Sequence, residues 1–221
     1  FQRASLVDYE PQIAKRPLRN WNELDPQVDA KAVFVQSIDD NIPFLHIGTY
    51  TKWPIASLTK LLTAVVVLEE IGIDKKIPIT QNAINTEGGA GGLIADEVYT
   101  TYDLLKIMLL SSSNDAAVSF EDYLGSQIFV GLMQAKAQEI GMTQSSFVDS
   151  TGLSAQNVST ASDLFRLIRY ILEKHPEFTP GDVNEANFHL VKVDARRQTL
   201  EDGIRPDGRN MTEIRKLRSG V

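Results

Sequence analysis

The sequence predicts an α+β domain in which a cluster of helices packs beside an antiparallel sheet. Two short apolar runs come first, and helical periodicity then dominates residues 57–174. Strands followed by a run of helices favour an α+β fold over an alternating α/β one. The apolar fraction of 43% and the charged fraction of 23% are ordinary for a globular protein, so the chain can build a packed core.

The predicted strands are short. Residues 32–35 and 43–47 form an expected hairpin around the polar segment 39–41. A further extended piece is expected at residues 77–79. The glycines of residues 88–92 lack the spacing of a phosphate-binding motif, so this segment is predicted to be a loop.

Apolar periodicity predicts five helices with short connections. The first begins near Ser57 and ends at Gly72, because leucines and valines recur three and four residues apart between them. A threonine at position 100 or 101 is a suitable N-cap for the second. The second helix is predicted over residues 103–110, and the last three over 115–125, 126–140 and 160–174. Between the last two, residues 149–152 are predicted to form a turn.

The first helix opens with a Ser-x-x-Lys pair, Ser57 and Lys60. Residues three apart lie on one helix face, with Cβ atoms about 5–6 Å apart, so the amine can reach the hydroxyl. A serine beside a partly desolvated lysine has a general base, and a helix N-terminus favours a developing oxyanion. The structural alternative is a capping serine beside a solvated lysine, because such pairs also occur by chance.

A second candidate motif, Ser112-Ser113-Asn114, lies between two predicted helices. Serine and asparagine are common helix caps, and that is its structural alternative. In the functional interpretation, Ser112 moves protons between the lysine and a leaving group, and the Asn114 amide binds a substrate backbone. Ser-x-x-Lys followed by Ser-x-Asn is the pairing typical of penicillin-binding proteins and β-lactamases.

Three extended segments resemble serine D-alanyl-D-alanine carboxypeptidases, the low-molecular-mass penicillin-binding proteins. They are residues 55–64, 109–117 and 147–164, in that order, and the likeness extends over about residues 28–175. The resemblance implies the penicillin-binding-protein and β-lactamase-like fold, with the active-site cleft between the helical cluster and the sheet.

The resemblance also implies a mechanism. Ser57 would attack the carbonyl between the two terminal D-alanines of a peptidoglycan stem peptide, with Lys60 as general base. Ser112 would pass a proton to the departing D-alanine, and Asn114 would hold the peptide. β-Lactams would acylate the same serine. Neither a metal nor an organic cofactor is expected, and the protein would be exported to the cell-wall side of the cytoplasmic membrane.

The sequence departs from the family pattern at the third motif, Lys-Thr-Gly, which is absent. Arg218-Ser219-Gly220 is the nearest chemical mimic, because arginine binds carboxylates well. The sheet is therefore expected to be incomplete at the C-terminus. One alternative is an impaired pseudoenzyme that only binds peptidoglycan or penicillin. A β-lactamase is disfavoured, because no credible deacylating glutamate follows the second motif.

The predicted domain organisation has three parts: an extended leader over residues 1–27, a D,D-peptidase-like domain over 28–185 and an appended tail over 186–221. Residues 193–217 resemble the entry to the core of polynucleotide phosphorylase but include no phosphorolytic site. This likeness suggests a different origin for the tail. An RNA-associated module is the last alternative.

Charge and composition exclude several classes of function. A net charge of −7 argues against broad nucleic-acid or anionic-membrane binding by the whole chain. No nucleic-acid partner is expected for the main domain, and no apolar run is long enough for a transmembrane helix. The sequence contains no cysteine, which excludes thiolate chemistry. The three histidines, His46, His175 and His189, stand in no zinc-protease or esterase motif. The first residue is Phe1, so a mature, trimmed or fragment form is expected.

Overall fold

The structure, a computed structural model, describes residues 20–176 apart from 21, 25 and 39. In this part of the chain, helices combine with three two-stranded antiparallel sheets, so the predicted α+β class is confirmed. Residues 1–19 of the predicted leader and the whole tail lie outside the described residues, including Arg218-Ser219-Gly220 and the segment 193–217. None of the helices that the structure describes is long and apolar enough to cross a membrane.

The predicted hairpin forms the first sheet. β1 (Val33–Gln36) pairs with β2 (Pro43–Ile47), and Val33 lies opposite Ile47. Four more strands are very short: β3 (Trp53–Pro54), β4 (Lys76–Pro78), β5 (Val98–Thr100) and β6 (Val158–Ser159). β3 pairs with β6 and β4 with β5. β4 begins one residue earlier than predicted, whereas β3, β5 and β6 were not predicted.

The helices follow the predicted order. A 3₁₀ turn (Ala56–Leu58) leads into α1 (Thr59–Val66), and a π-helical turn (Val67–Ile71) extends it to Gly72. The others are α2 (Gln81–Ile84), α3 (Thr101–Ser111), α4 (Asn114–Leu124), α5 (Ser126–Ile140) and α6 (Ala161–Lys174). Only the short α2 was not predicted.

Side-chain caps define where four of these helices begin. Thr80, Thr100, Ser113 and Thr160 each accept a hydrogen bond from a backbone N–H three residues further on. In α3 and α6 that third residue is an aspartate, whose charge also suits the positive helix N-terminus. The cap at Ser113 starts α4 at Asn114, one residue before the predicted start.

The core is built around α1. Leu62, Val65 and Val66 are at most 1% exposed, although α1 is only eight residues long. Fully buried side chains from the neighbouring helices belong to the same cluster: Leu104, Met108, Phe120, Phe129, Met133 and Leu167. Each such side chain stabilises the fold by about 1.5–3 kcal/mol. The core therefore holds α1, and the residues at its N-terminus, in a fixed position.

A polar cluster fixes the π-helical turn that extends the C-terminal end of α1. Glu69 Oε1 accepts a hydrogen bond from Tyr170 at 2.8 Å and lies 2.8 Å from His175 Nε2, and Oε2 pairs with Lys136 Nζ at 2.6 Å. Burial raises the pKa of Glu69, but hydrogen bonds from Lys136, His175 and Tyr170 outweigh this and lower it. The charged carboxylate therefore joins α1 to α5 and α6.

Candidate active site

The Ser-x-x-Lys pair is joined by a direct hydrogen bond. Lys60 Nζ, in the first turn of α1, donates to Ser57 Oγ at 3.1 Å. Lys60 is 2% exposed, whereas Ser57 lies on the surface. The arrangement is an accessible hydroxyl above a buried amine, as a nucleophile and its base require.

The second motif brings another hydroxyl to the same amine. Lys60 Nζ lies 3.5 Å from Ser112 Oγ, although the two residues are 52 positions apart. Ser112 follows α3 with a left-handed φ of 57°. This conformation costs a non-glycine residue about 1–2 kcal/mol. Backbone strain of this kind is common where a side chain must be aimed at a functional site.

A backbone carbonyl completes the surroundings of the amine. Lys60 Nζ donates to the Thr151 carbonyl at 2.9 Å, so three oxygens face a group that has three N–H donors when it is protonated. Residues 147–164 belong to the segments that resemble the carboxypeptidases, but nothing in the sequence predicts that the turn at residues 149–152 contacts the site. A carbonyl contact of this kind leaves no sequence pattern, because any residue supplies the same group.

Burial leaves more of the Lys60 amine in its neutral, proton-accepting form near neutral pH than in an ordinary lysine. Desolvation lowers the pKa of Lys60 from 10.5 to about 8, although the nearby Asp149 carboxylate partly opposes the change. A general base is most effective when its pKa is near the working pH. The amine can therefore accept the Ser57 proton under mildly alkaline conditions.

We expect the acylation of Ser57 to speed up with pH and reach half its maximum near pH 8. As a general base, Lys60 would react in its neutral form, and only about a tenth of the amine is neutral at pH 7. The rate of covalent labelling by a fluorescent penicillin, followed from about pH 6 to about pH 10, measures this profile. A profile with no rise between those limits would contradict the assignment of Lys60 as the base.

The residue before Ser57 is held by close backbone packing. Ala56 has a φ of 45°, and its carbonyl faces Gly152, which has a φ of 86°. A Cβ atom added at Gly152 would lie 1.9 Å from the Ala56 oxygen. Glycine is therefore required at this point, and the turn at residues 149–152 fixes the backbone just before Ser57.

Asn114 is placed beside the site but is already engaged. It is 7% exposed, and its Nδ2 donates to the Glu87 carbonyl at 2.8 Å. The structure thus brings Ser57, Lys60 and Ser112 together, and Asn114 follows them at the start of α4.

The glycine-rich loop covers the start of α4. A Cβ at Gly88 would lie 2.6 Å from Asn114 Nδ2, and one at Gly89 would lie 2.9 Å from the Asp115 carboxylate oxygens. The segment was predicted only as a loop. Its glycines let the loop backbone approach the side chains at the start of α4 closely. The spacing of the glycines in the sequence did not predict this contact.

Known proteins resemble this chain in sequence. The sequence profile of the peptidase S11 family, D-alanyl-D-alanine carboxypeptidase, matches residues 23–204. The D-alanyl-D-alanine endopeptidase of Pseudomonas aeruginosa is 41% identical over 159 residues, which are 62% of this chain and 51% of that protein. The chain spans about half the length of the curated relatives it matches.

Solved structures share the fold. The D-alanyl-D-alanine carboxypeptidase DacD of Francisella tularensis superposes with a TM-score of 0.67 at 27% identity, covering 77% of this chain and 43% of that one. Penicillin-binding protein D2 of Listeria monocytogenes, in its cefotaxime-bound form, gives 0.61 at 28% identity, covering 70% and 66%. The resemblance found in the sequence is confirmed. The chain belongs to the D-alanyl-D-alanine carboxypeptidase family, peptidase S11.

Proposed function

We propose that this chain is a serine D,D-peptidase that acts on the stem peptides of peptidoglycan through an acyl-enzyme at Ser57. The observation that carries the proposal is the buried Lys60 amine, which lies 3.1 Å from Ser57 Oγ and 3.5 Å from Ser112 Oγ. One base that reaches two hydroxyls can both activate a nucleophile and return its proton to a leaving group.

In the acylation step, Ser57 Oγ attacks the carbonyl carbon of the scissile amide and its proton passes to Lys60. The tetrahedral intermediate then collapses as the C–N bond breaks. The proton moves from Lys60 through Ser112 to the departing nitrogen, which leaves as an amine. Water later attacks the ester, Ser57 regains its proton, and the shortened peptide is released as a carboxylic acid.

Asn114, two residues after Ser112 at the start of α4, would be the substrate-binding residue. Its amide would hold the peptide backbone while Ser57 reacts. Because Nδ2 already donates to Glu87, binding a substrate carbonyl through this atom requires the peptide to share or replace that bond.

Two bonds are candidates for cleavage. The family description favours the terminal D-Ala-D-Ala bond of an uncross-linked peptide. The relative from Pseudomonas aeruginosa is named an endopeptidase, which favours an internal bond in cross-linked peptides as the second candidate. The same serine chemistry serves both. The substrate lies outside the cytoplasmic membrane, so the protein would act there.

Incubation with purified muropeptides and with a fluorescent penicillin tests the proposal. We expect the penicillin to label the 221-residue chain covalently and the Ser57→Ala variant to remain unlabelled. Mass spectrometry of the muropeptides then identifies the bond: release of D-alanine indicates a carboxypeptidase, and cleavage of a cross-linked dimer indicates an endopeptidase. Muropeptide binding without labelling or product would instead favour the pseudoenzyme alternative.

A further inference from the structure

The turn at residues 149–152 is organised by one half-buried carboxylate, that of Asp149. Asp149 Oδ1 accepts hydrogen bonds from Thr151 N and Oγ1, both at 2.8 Å, and from Gly152 N at 2.6 Å. Its Oδ2 accepts from Ser154 N at 3.0 Å and Asn157 Nδ2 at 2.8 Å. Five donors on one side chain leave this turn, here named the Asp149 turn, little freedom to change shape.

The Asp149 turn is bonded to α1 at two successive carbonyls. The Ser150 carbonyl accepts from Thr63 Oγ1 at 2.7 Å, and the Thr151 carbonyl accepts from Lys60 Nζ at 2.9 Å. On its other side, the turn is held by α4, because Ser150 N donates to Glu121 Oε2 at 3.0 Å. The position of the Lys60 amine is therefore coupled to the shape of the turn.

We propose that Asp149 is the positioning residue for Lys60. Its carboxylate fixes the turn, and the turn's Thr151 carbonyl holds the amine between the Ser57 and Ser112 hydroxyls. The inference rests on the proposed function, since it concerns the base of that reaction. Asp149 lies in a segment that resembles the family, but the resemblance assigned it no role.

Besides fixing the turn, Asp149 acts on the pKa of Lys60 through its negative charge. Burial raises the pKa of Asp149, but hydrogen bonds from Thr151, Gly152, Ser154 and Asn157 outweigh it, so the pKa lies below its usual value and the group is ionised at neutral pH. The same charge raises the pKa of Lys60 against the larger effect of desolvation.

The other groups that bond to the amine carry no charge. They are the Ser57 and Ser112 hydroxyls and the Thr151 carbonyl. Glu121 on α4 reaches the same turn at Ser150 N, but the electrostatic effect on Lys60 comes from Asp149. Removing the Asp149 charge should therefore change the titration of the amine as well as its position.

The Asp149→Asn variant tests both the positioning of Lys60 by the turn and the effect of the Asp149 charge on its pKa. We expect its maximal acylation rate to fall by about tenfold to a hundredfold, because small misplacements of a catalytic group have effects of this size. We also expect the midpoint of the pH–rate profile to move to lower pH. The sign follows from the charge: Asp149 favours protonated Lys60, so its loss lets the amine become neutral at lower pH.

Thr63→Val is the matched control. It removes a hydrogen bond between α1 and the same turn but changes no charge. We expect a lower rate with an unchanged midpoint. If Thr63→Val moves the midpoint as far as Asp149→Asn does, or if Asp149→Asn leaves rate and midpoint unchanged, the role assigned to Asp149 is wrong.

A lysine titration followed by NMR, with ¹³C-labelled side chains, keeps the test independent of turnover. The proposal expects the Lys60 resonance of the wild-type chain to titrate near pH 8 and to move lower in Asp149→Asn. Should Asp149→Asn fail to fold, Asp149→Ser retains a short turn-forming side chain without charge. If the wild-type chain is never acylated, the proposed function is wrong. If Lys60 titrates in Asp149→Asn as it does in the wild-type chain, only the role assigned to Asp149 is wrong.

Discussion

Replacing Lys60 by methionine should lower the acylation rate by about 10²–10⁴-fold, the usual contribution of a general base. Methionine has a similar length but cannot accept the Ser57 proton. The rate of covalent labelling by a fluorescent penicillin measures the effect. Lys106→Met is the matched control, because Lys106 is exposed and contacts only the Tyr102 ring among the interactions described for it, at 4.9 Å. Lys60→Met activity within about threefold of the control would be incompatible with Lys60 as the base.

The same substitution should not lower the melting temperature. The change in the pKa of Lys60 from 10.5 to about 8 corresponds to about 3 kcal/mol lost from folding stability whenever the buried amine is protonated. The folded-state pKa is depressed, so this loss is fully present below pH 8. Methionine removes it but leaves the Thr151 carbonyl without its donor, which costs about 1–3 kcal/mol. Thermal unfolding at pH 7 should thus give a stability equal to or above that of the wild-type chain.

Replacing Gly152 by alanine should damage both stability and activity. The new Cβ would lie 1.9 Å from the Ala56 carbonyl oxygen, so the turn and the residue before Ser57 must move apart. Forced packing of this kind costs about 1–3 kcal/mol, in addition to about 1–3 kcal/mol for a left-handed φ. Displacement of Ser57 from Lys60 should lower acylation by about a hundredfold.

The Gly125→Ala variant separates the cost of a left-handed φ from the effect of the contact with Ala56. Gly125 has a φ of 88°, close to the 86° of Gly152, but a Cβ there meets nothing within 4 Å. We expect this control to lose only the backbone contribution to stability and to keep the wild-type acylation rate. Chemical denaturation and penicillin labelling of both variants provide the comparison. Equal losses of activity in the two would show that contact with Ala56 does not position the nucleophile.

Features encoded within a few residues were predictable from the sequence. The spacing of Ser57 and Lys60 places them on one helix face, and Thr100 and Thr160 cap helices that their neighbours predict. The hairpin of β1 and β2 follows from two apolar runs around a polar turn. In each case, the interacting groups are close together in sequence, so local rules are sufficient.

Contacts between distant segments were not predictable. The Thr151 carbonyl meets Lys60 across 91 positions, and the Glu87 carbonyl meets Asn114 across 27. Backbone groups make both contacts, so no residue type marks them. The strands β3 and β6 owe their existence to tertiary pairing between residues about a hundred positions apart. The roles of Ser57, Lys60, Ser112 and Asn114 in catalysis remain predictions.

In the newly made chain, Lys60 and Thr151 are 91 positions apart and meet only when the protein folds. Before folding, Lys60 has the ordinary pKa of 10.5 and the Thr151 carbonyl is not beside it, so Ser57 has no base near neutral pH. Residue 151 must emerge from the ribosome and join α1 before Lys60 can take the position in which we propose that it activates Ser57. Under the proposed mechanism, nascent and unfolded forms of the protein should therefore not react with stem peptides or penicillins.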